Sequence, residues 1–176
     1  PETWFPLRLY TCTECHLVQV DEVQKHDALF SGDYVYFSSY SRSWLAHAER
    51  YVAHASERLG LGPDSLVMEI ASNDGYLLQY AKARGIACVG IEPTASTAVA
   101  ARERGIETIE RFFGRAFAQE FVTARRKADL VVANNVLAHV PDLNDFVAGL
   151  ATVLAPEGAV TIEFSHLLQL VAQHQF

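Results

Sequence analysis

The chain has 176 residues, 50% apolar and 20% charged, a globular composition that excludes a disordered tail and needs no disulfide staples to bury a core. Fourteen basic against 21 acidic side chains leave a net charge of −7, which argues against non-specific binding to nucleic acid. No apolar run is long enough to span a membrane, the first ten residues do not read as a signal peptide, and three cysteines suit a reducing cytoplasm better than a secreted disulfide scaffold.

In chain order, Leu7 and Leu9, then Leu17, Val18 and Val20, predict a hairpin around Cys12-Thr13-Glu14-Cys15. Residues 29–41 form a Ser/Gly/Asp loop that nonetheless holds five aromatics, among them Tyr34, Tyr36 and Tyr40, and reads as a lid or strap. The spacing of Trp44, Leu45, Ala48, Tyr51, Val52 and Leu59 predicts a helix over 42–59, stopped by Gly60 and Gly62-Pro63. From Ser65 strands and helices alternate. Strands are predicted over 66–70, 87–91, 107–110, 130–133 and 158–164. Helices are predicted over 76–83, 94–104 with Thr94 as N-cap, 115–124, 142–154 capped by Asp142, and 166–174. Such alternation gives parallel βαβ units, so the fold class is α/β: a doubly wound, mostly parallel, Rossmann-like sheet. Three regions follow: 1–28, a hairpin; 29–63, an aromatic lid loop and linker helix; and 64–176, the sheet domain.

Ligands in such a sheet bind beyond the carboxyl ends of the strands. Here those ends carry Glu69-Ile70-Ala71-Ser72-Asn73-Asp74-Gly75, then Glu92-Pro93, then Asn134-Asn135 and His139. No Gly-x-Gly-x-x-Gly is present, which removes the main support for a nicotinamide or flavin site. Ala71 lets a ligand approach the backbone, Asn73 tolerates a left-handed conformation, and Gly75 permits close helix contact. Glu92 stands where a carboxylate accepts both hydroxyls of a ribose. Acids at the first two strand ends, Glu69 and Glu92, suit a cationic nucleoside, which is a description of S-adenosylmethionine.

With these residues the sequence resembles class I methyltransferases, and more narrowly the sugar C-methyltransferases of antibiotic deoxysugar biosynthesis. The narrower resemblance rests on Glu69 to Leu78, Gly90-Ile91-Glu92-Pro93, Arg111-Phe112-Phe113-Gly114, Asn134 to Asp142, and Leu29 to Ser41. It implies S-adenosylmethionine as cofactor, held by Glu69, Ala71, Ser72, Asn73, Gly75, Glu92, Phe113, Asn134 and Asn135. It further implies catalytic roles for Tyr34 and His139, sugar contacts from Tyr36 and Tyr40, and a nucleotide-sugar substrate methylated next to a ketone. Cys12 and Cys15 would be two ligands of a structural zinc whose other pair is missing, so an incomplete site is expected. The family's base-bearing stretch would lie beyond Phe176, so the chain reads as part of a longer parent and is not expected to turn over alone. An O- or N-methyltransferase of small molecules, or a non-catalytic cofactor-binding fragment, are the rival readings. Cys88 and the histidines other than His139 read as structural or surface residues.

Overall fold

A computed structural model describes residues 4–6, 8–21, 23, 30 and 35–175. Tyr34, Leu29 and most of the loop around them lie outside the described residues. Strand β1 (Leu9–Thr11) pairs antiparallel with β2 (Val18–Val20), Leu9 opposite Val20, as the alternating apolar residues predicted. The turn between them is closed by the Cys12 N–H on the Leu17 carbonyl at 2.9 Å and the His16 N–H on the Cys12 carbonyl at 3.0 Å. A short 3₁₀ turn, Ser38–Tyr40, leads into α1 (Arg42–Leu59). Ser41 caps that helix by accepting from the Trp44 N–H, and Gly60 ends it in the left-handed conformation at φ +63°.

The sheet that follows is wholly parallel. It contains β3 (Leu66–Ile70), β4 (Ala87–Ile91), β5 (Thr108–Ile109), β6 (Ala128–Asn134) and β7 (Leu154–Glu163), in the spatial order β5-β4-β3-β6-β7. Between the strands run α2 (Leu78–Ala83), α3 (Ala95–Glu103), α4 (Arg115–Ala124) and α5 (Leu143–Val153), with α6 (Leu167–Ala172) last. The chain winds outward from β3 through β4 to β5, then returns to place β6 on the other side of β3. That reversal is the switch point, and it opens a crevice at the carboxyl ends of β3 and β6.

Side chains alternate across the sheet and divide the core in two. Val67, Leu130 and Val132 face α1 and α2, packing with Ala48, Val52, Leu77 and Leu78. Met68, Ile70, Val131 and Ala133 face α4 and α5, packing with Phe117, Phe121, Phe146 and Leu150. Each such apolar side chain contributes roughly 1.5–3 kcal/mol when buried. Helix α1, expected as a linker, thus closes one face of the sheet.

Three local expectations shift. The helix predicted from residue 76 begins at Leu78, because Asn73 and Gly75 hold left-handed backbone and residues 75–77 form turns. Thr94 stands at the N-cap of α3, but its hydroxyl donates to Glu92 Oε1 rather than capping the helix. Strand β7 begins at Leu154, directly after α5, with Pro156 tolerated on an outer strand. No helix among the described residues is long and apolar enough to cross a membrane.

Candidate active site

A cavity of about 600 Å³ opens at the switch point, within the usual range of small-molecule sites. Its inner wall is the turn after β3. Ala71 (φ +55°) and Asn73 (φ +49°) both hold left-handed backbone, as does Asn135 (φ +52°) after β6, and all three line the cavity. Such backbone is uncommon outside glycine and concentrates at functional sites, where surrounding bonds sustain it. Here the Ala71 N–H donates to the Ile91 carbonyl at 2.8 Å, and the Asn135 N–H to the Glu163 carbonyl at 2.7 Å.

Glu92 is the centre of this wall. Its Oε2 accepts the Asn73 N–H at 2.8 Å, and its Oε1 accepts the Thr94 N–H at 2.9 Å and the Thr94 hydroxyl at 2.5 Å. The carboxylate is therefore fixed at the end of β4 and lines the cavity. Asp74, fully buried, is paired with Arg104 Nη1 at 2.8 Å. Glu69, also fully buried, has no hydrogen-bond partner on either carboxyl oxygen. Burial pushes its acid well above the ordinary carboxylate range; the Tyr76 hydroxyl opposes the shift, and the charges of Glu92 and Asp74 add to it. Of these three acids Glu92 alone borders the cavity: Asp74 is offset by Arg104, and burial holds Glu69 toward its neutral form.

The family of methyltransferase domains matches residues 44–174. The chain belongs to that family. The C-methyltransferase NovU of Streptomyces niveus is 35% identical over 175 residues, covering 99% of this chain and 41% of NovU. Among solved structures, a protein of Pyrococcus horikoshii superposes with a TM-score of 0.62 at 18% identity, covering 80% of this chain and 62% of that one. The plantazolicin methyltransferase BpumL, solved with a desmethyl plantazolicin analogue and S-adenosylhomocysteine, gives 0.58 at 14% identity, covering 76% of this chain and 51% of its own. At these identities the structures establish the fold, that of class I methyltransferases. The chain spans less than half the length of NovU.

Within this methyltransferase fold, Ala71, Asn73, Glu92, Phe113, Asn134, Asn135, Tyr36 and His139 all border the cavity. Phe113 packs edge-on against Phe146 with ring centroids 5.4 Å apart, in space that Gly149 leaves free: a Cβ there would sit 2.8 Å from the Phe113 ring. His139 lies exposed on the 3₁₀ turn Leu137–His139, its ring 5.8 Å from that of Phe30.

Other expected site residues stand elsewhere. Glu69 shares the parity of Val67, so it turns toward α1 and α2 beside Tyr76, away from the cavity that Ile70 faces. Ser72 is buried against Gly90, where a Cβ would sit 2.9 Å from the Ser72 Cβ. Gly75 packs on Ile106 instead of facing a ligand. Tyr40 is 79% exposed and stacks on Phe37 outside the cavity. Cys12 and Cys15 share one turn, whose backbone N–H groups from Cys15 and Glu14 hold the Cys12 thiol below its ordinary pKa. Among the described residues no third ligand joins them, and two sulfurs do not make a tetrahedral zinc site.

Trp44 and Tyr76 are among the cavity residues not singled out from sequence as site residues. Trp44 of α1 and Tyr76 stack at 6.0 Å and form the floor next to Asn134. Burial raises the Tyr76 phenol, and the Glu69 charge adds to it; bonding to Asn134 and Trp44 only partly opposes this, so it remains a hydrogen-bond donor. Both had the helical spacing of core residues, which is also what they are.

Proposed function

We propose that this chain binds S-adenosylmethionine and serves the C-methylation of a dTDP-linked 4-keto deoxysugar, at the carbon beside the ketone, in a reducing cytoplasm. The observation that supports it most is the acidic, left-handed turn locked to Glu92 at the switch point, in a chain akin along nearly its whole length to a C-methyltransferase. The donor set suits the cofactor. Glu92, whose Oε1 accepts two bonds from the protein and whose Oε2 accepts one, keeps an acceptor site on Oε2 for a ribose hydroxyl, and Phe113 offers a flat apolar face to adenine. The two-cysteine turn does not suit a resident metal by itself, and no step involves one.

S-adenosylmethionine supplies an activated methyl group on a sulfonium. The protein's part is to hold the acceptor carbon in line with it and to steady charge on the sugar. His139, exposed at the cavity mouth with its ring against Phe30, would donate to the ketone oxygen as the enolate forms, with Tyr34 or Tyr36 assisting. Removal of the α-proton calls for a dedicated base, worth about 10² to 10⁴ in rate. The test combines calorimetry with S-adenosylhomocysteine and a methyl-label assay on a dTDP-linked 4-keto deoxysugar. Expected are cofactor binding by this chain and, once the dedicated base is supplied, label on carbon accompanied by solvent deuterium exchange next to the ketone. Label on oxygen or nitrogen would favour the O- or N-methyltransferase reading, and binding without any turnover a cofactor-binding module.

A further inference from the structure

The strap before α1 is held in place by polar contacts. Val35 is 84%, Tyr36 58% and Tyr40 79% exposed, so apolar burial does little to fix it. What fixes it is the turn after β3. The Asn73 amide bonds both ways to strap backbone: its Oδ1 accepts the Ser38 N–H at 2.9 Å, and its Nδ2 donates to the Tyr36 carbonyl at 3.0 Å. This pair of bonds copies one rung of a sheet ladder, and Phe37 between them is extended at φ −113°, ψ 113°. Arg104, at the end of α3, repeats the connection. Its Nη1 pairs with buried Asp74, while its Nη2 donates to Ser39 Oγ at 2.8 Å. The same Asn73 gives its backbone N–H to Glu92 Oε2.

We propose that Asn73 and Arg104 are positioning residues that couple the cofactor turn to the strap, so that cofactor binding orders Tyr36 against the acceptor end of the cavity. A ribose on Glu92 steadies the carboxylate that anchors Asn73, and the Asn73 amide passes that order to residues 36–38. Among the described residues these bonds to Asn73 and Arg104 tie the strap to the turn, so its stability follows the state of the turn. This rests on the cofactor reading above. It makes binding sequential: cofactor first, sugar second.

The test is hydrogen exchange of the amides of residues 39–41, with and without S-adenosylhomocysteine. Two variants cut the same connection from opposite sides. Asn73→Gly keeps the left-handed backbone and the N–H to Glu92 but removes the amide. Ser38→Pro removes the strap N–H at the first position of a 3₁₀ turn, after an extended residue, where proline is tolerated. In the unaltered protein the cofactor product should slow strap exchange about ten-fold or more, and in both variants, where the Arg104–Ser39 contact is left, that slowing should fall several-fold. By reciprocity the variants should lose affinity by no more than the same factor. Equal slowing in either variant, or none in the unaltered protein with ligand bound, would overturn the coupling. Abolished binding in Asn73→Gly with normal affinity in Ser38→Pro would overturn it too, making Asn73 a cofactor ligand. Absence of calorimetric binding to the unaltered protein would instead sink the cofactor reading, and this inference with it.

Discussion

The cavity has two walls built by opposite means. The wall from the ends of β3 and β4 and the segment after β5 is over-determined: left-handed turn residues, a carboxylate with three protein donors, and the Phe113 ring seated over Gly149 of α5. The facing wall, made of the strap and the 3₁₀ turn bearing His139, is exposed and held by a few bonds. Under the proposed function the cofactor would meet the over-determined surface and the acceptor the one held by fewer bonds. Such an arrangement puts variation where substrates differ and rigidity where they do not.

The strongest way to break this contrast is Glu92→Ala. Removing the carboxylate takes away its open acceptor site for a ribose hydroxyl together with the anchor of the Asn73 and Thr94 N–H groups, and should cost roughly 2–3 kcal/mol, a drop of about thirty-fold or more in S-adenosylhomocysteine affinity by calorimetry. Unchanged affinity would move the cofactor off this wall altogether.

Next in size is Glu69→Gln. Burial raises the Glu69 acid in the folded protein, so the unfolded chain releases that proton at lower pH than the folded one does. Its favourable contribution is complete below the ordinary carboxylate pKa and declines as pH rises toward the folded value. An amide has no such dependence, and an unpartnered buried polar group costs about 1–3 kcal/mol. Glu69→Gln should therefore melt higher than the unaltered protein at pH 8 and lose that advantage toward pH 4. A melting difference independent of pH would show that Glu69 has a counter-charge.

Asp142→Ala probes the other wall. Asp142 borders the cavity and caps α5 by accepting the Asp145 N–H at 2.9 Å, so its loss should cost about 1 kcal/mol, read as a lower urea midpoint at unchanged slope. Its effect on cofactor affinity should be small beside that of Glu92.

Much of this was legible beforehand, and what was not has physical causes. Periodicity and end signals located α1 and α4 with the bounds observed, because Ser41 and Gly60 cap one, and the apolar stripe of the other is uninterrupted. Glu92 stood out as an acid at a strand end. Glu69 looked equivalent, but it lies inside β3, one residue short of its end, and alternation buries it beside Tyr76 under α1 and α2, whereas Glu92 stands past the end of β4 on the cavity. Ala71 carries no signal for left-handed backbone, since its conformation is imposed by the Ile91 carbonyl and the turn around it. Trp44 reaches the site because α1 packs over the face of the sheet that carries Val67, while Tyr76 stands in the turn that leaves β3.

The smallest expected effect separates two tyrosines that the strap sequence presents as alike. Tyr36 borders the cavity; Tyr40, four residues on, stacks on Phe37 at 5.4 Å and faces solvent. An exposed ring in one stacking contact contributes little to folding, so Tyr40→Ala should shift stability by no more than about 0.5 kcal/mol. It should also leave the KM for a keto-sugar acceptor unchanged, because nothing places its hydroxyl toward the cavity. Tyr36→Ala should be equally mild toward unfolding, its ring being exposed as well, yet raise that KM several-fold if the acceptor lies under the strap. Parallel effects of the two substitutions on KM would mean that the strap turns over when the acceptor binds, and that the open wall is remade by its substrate.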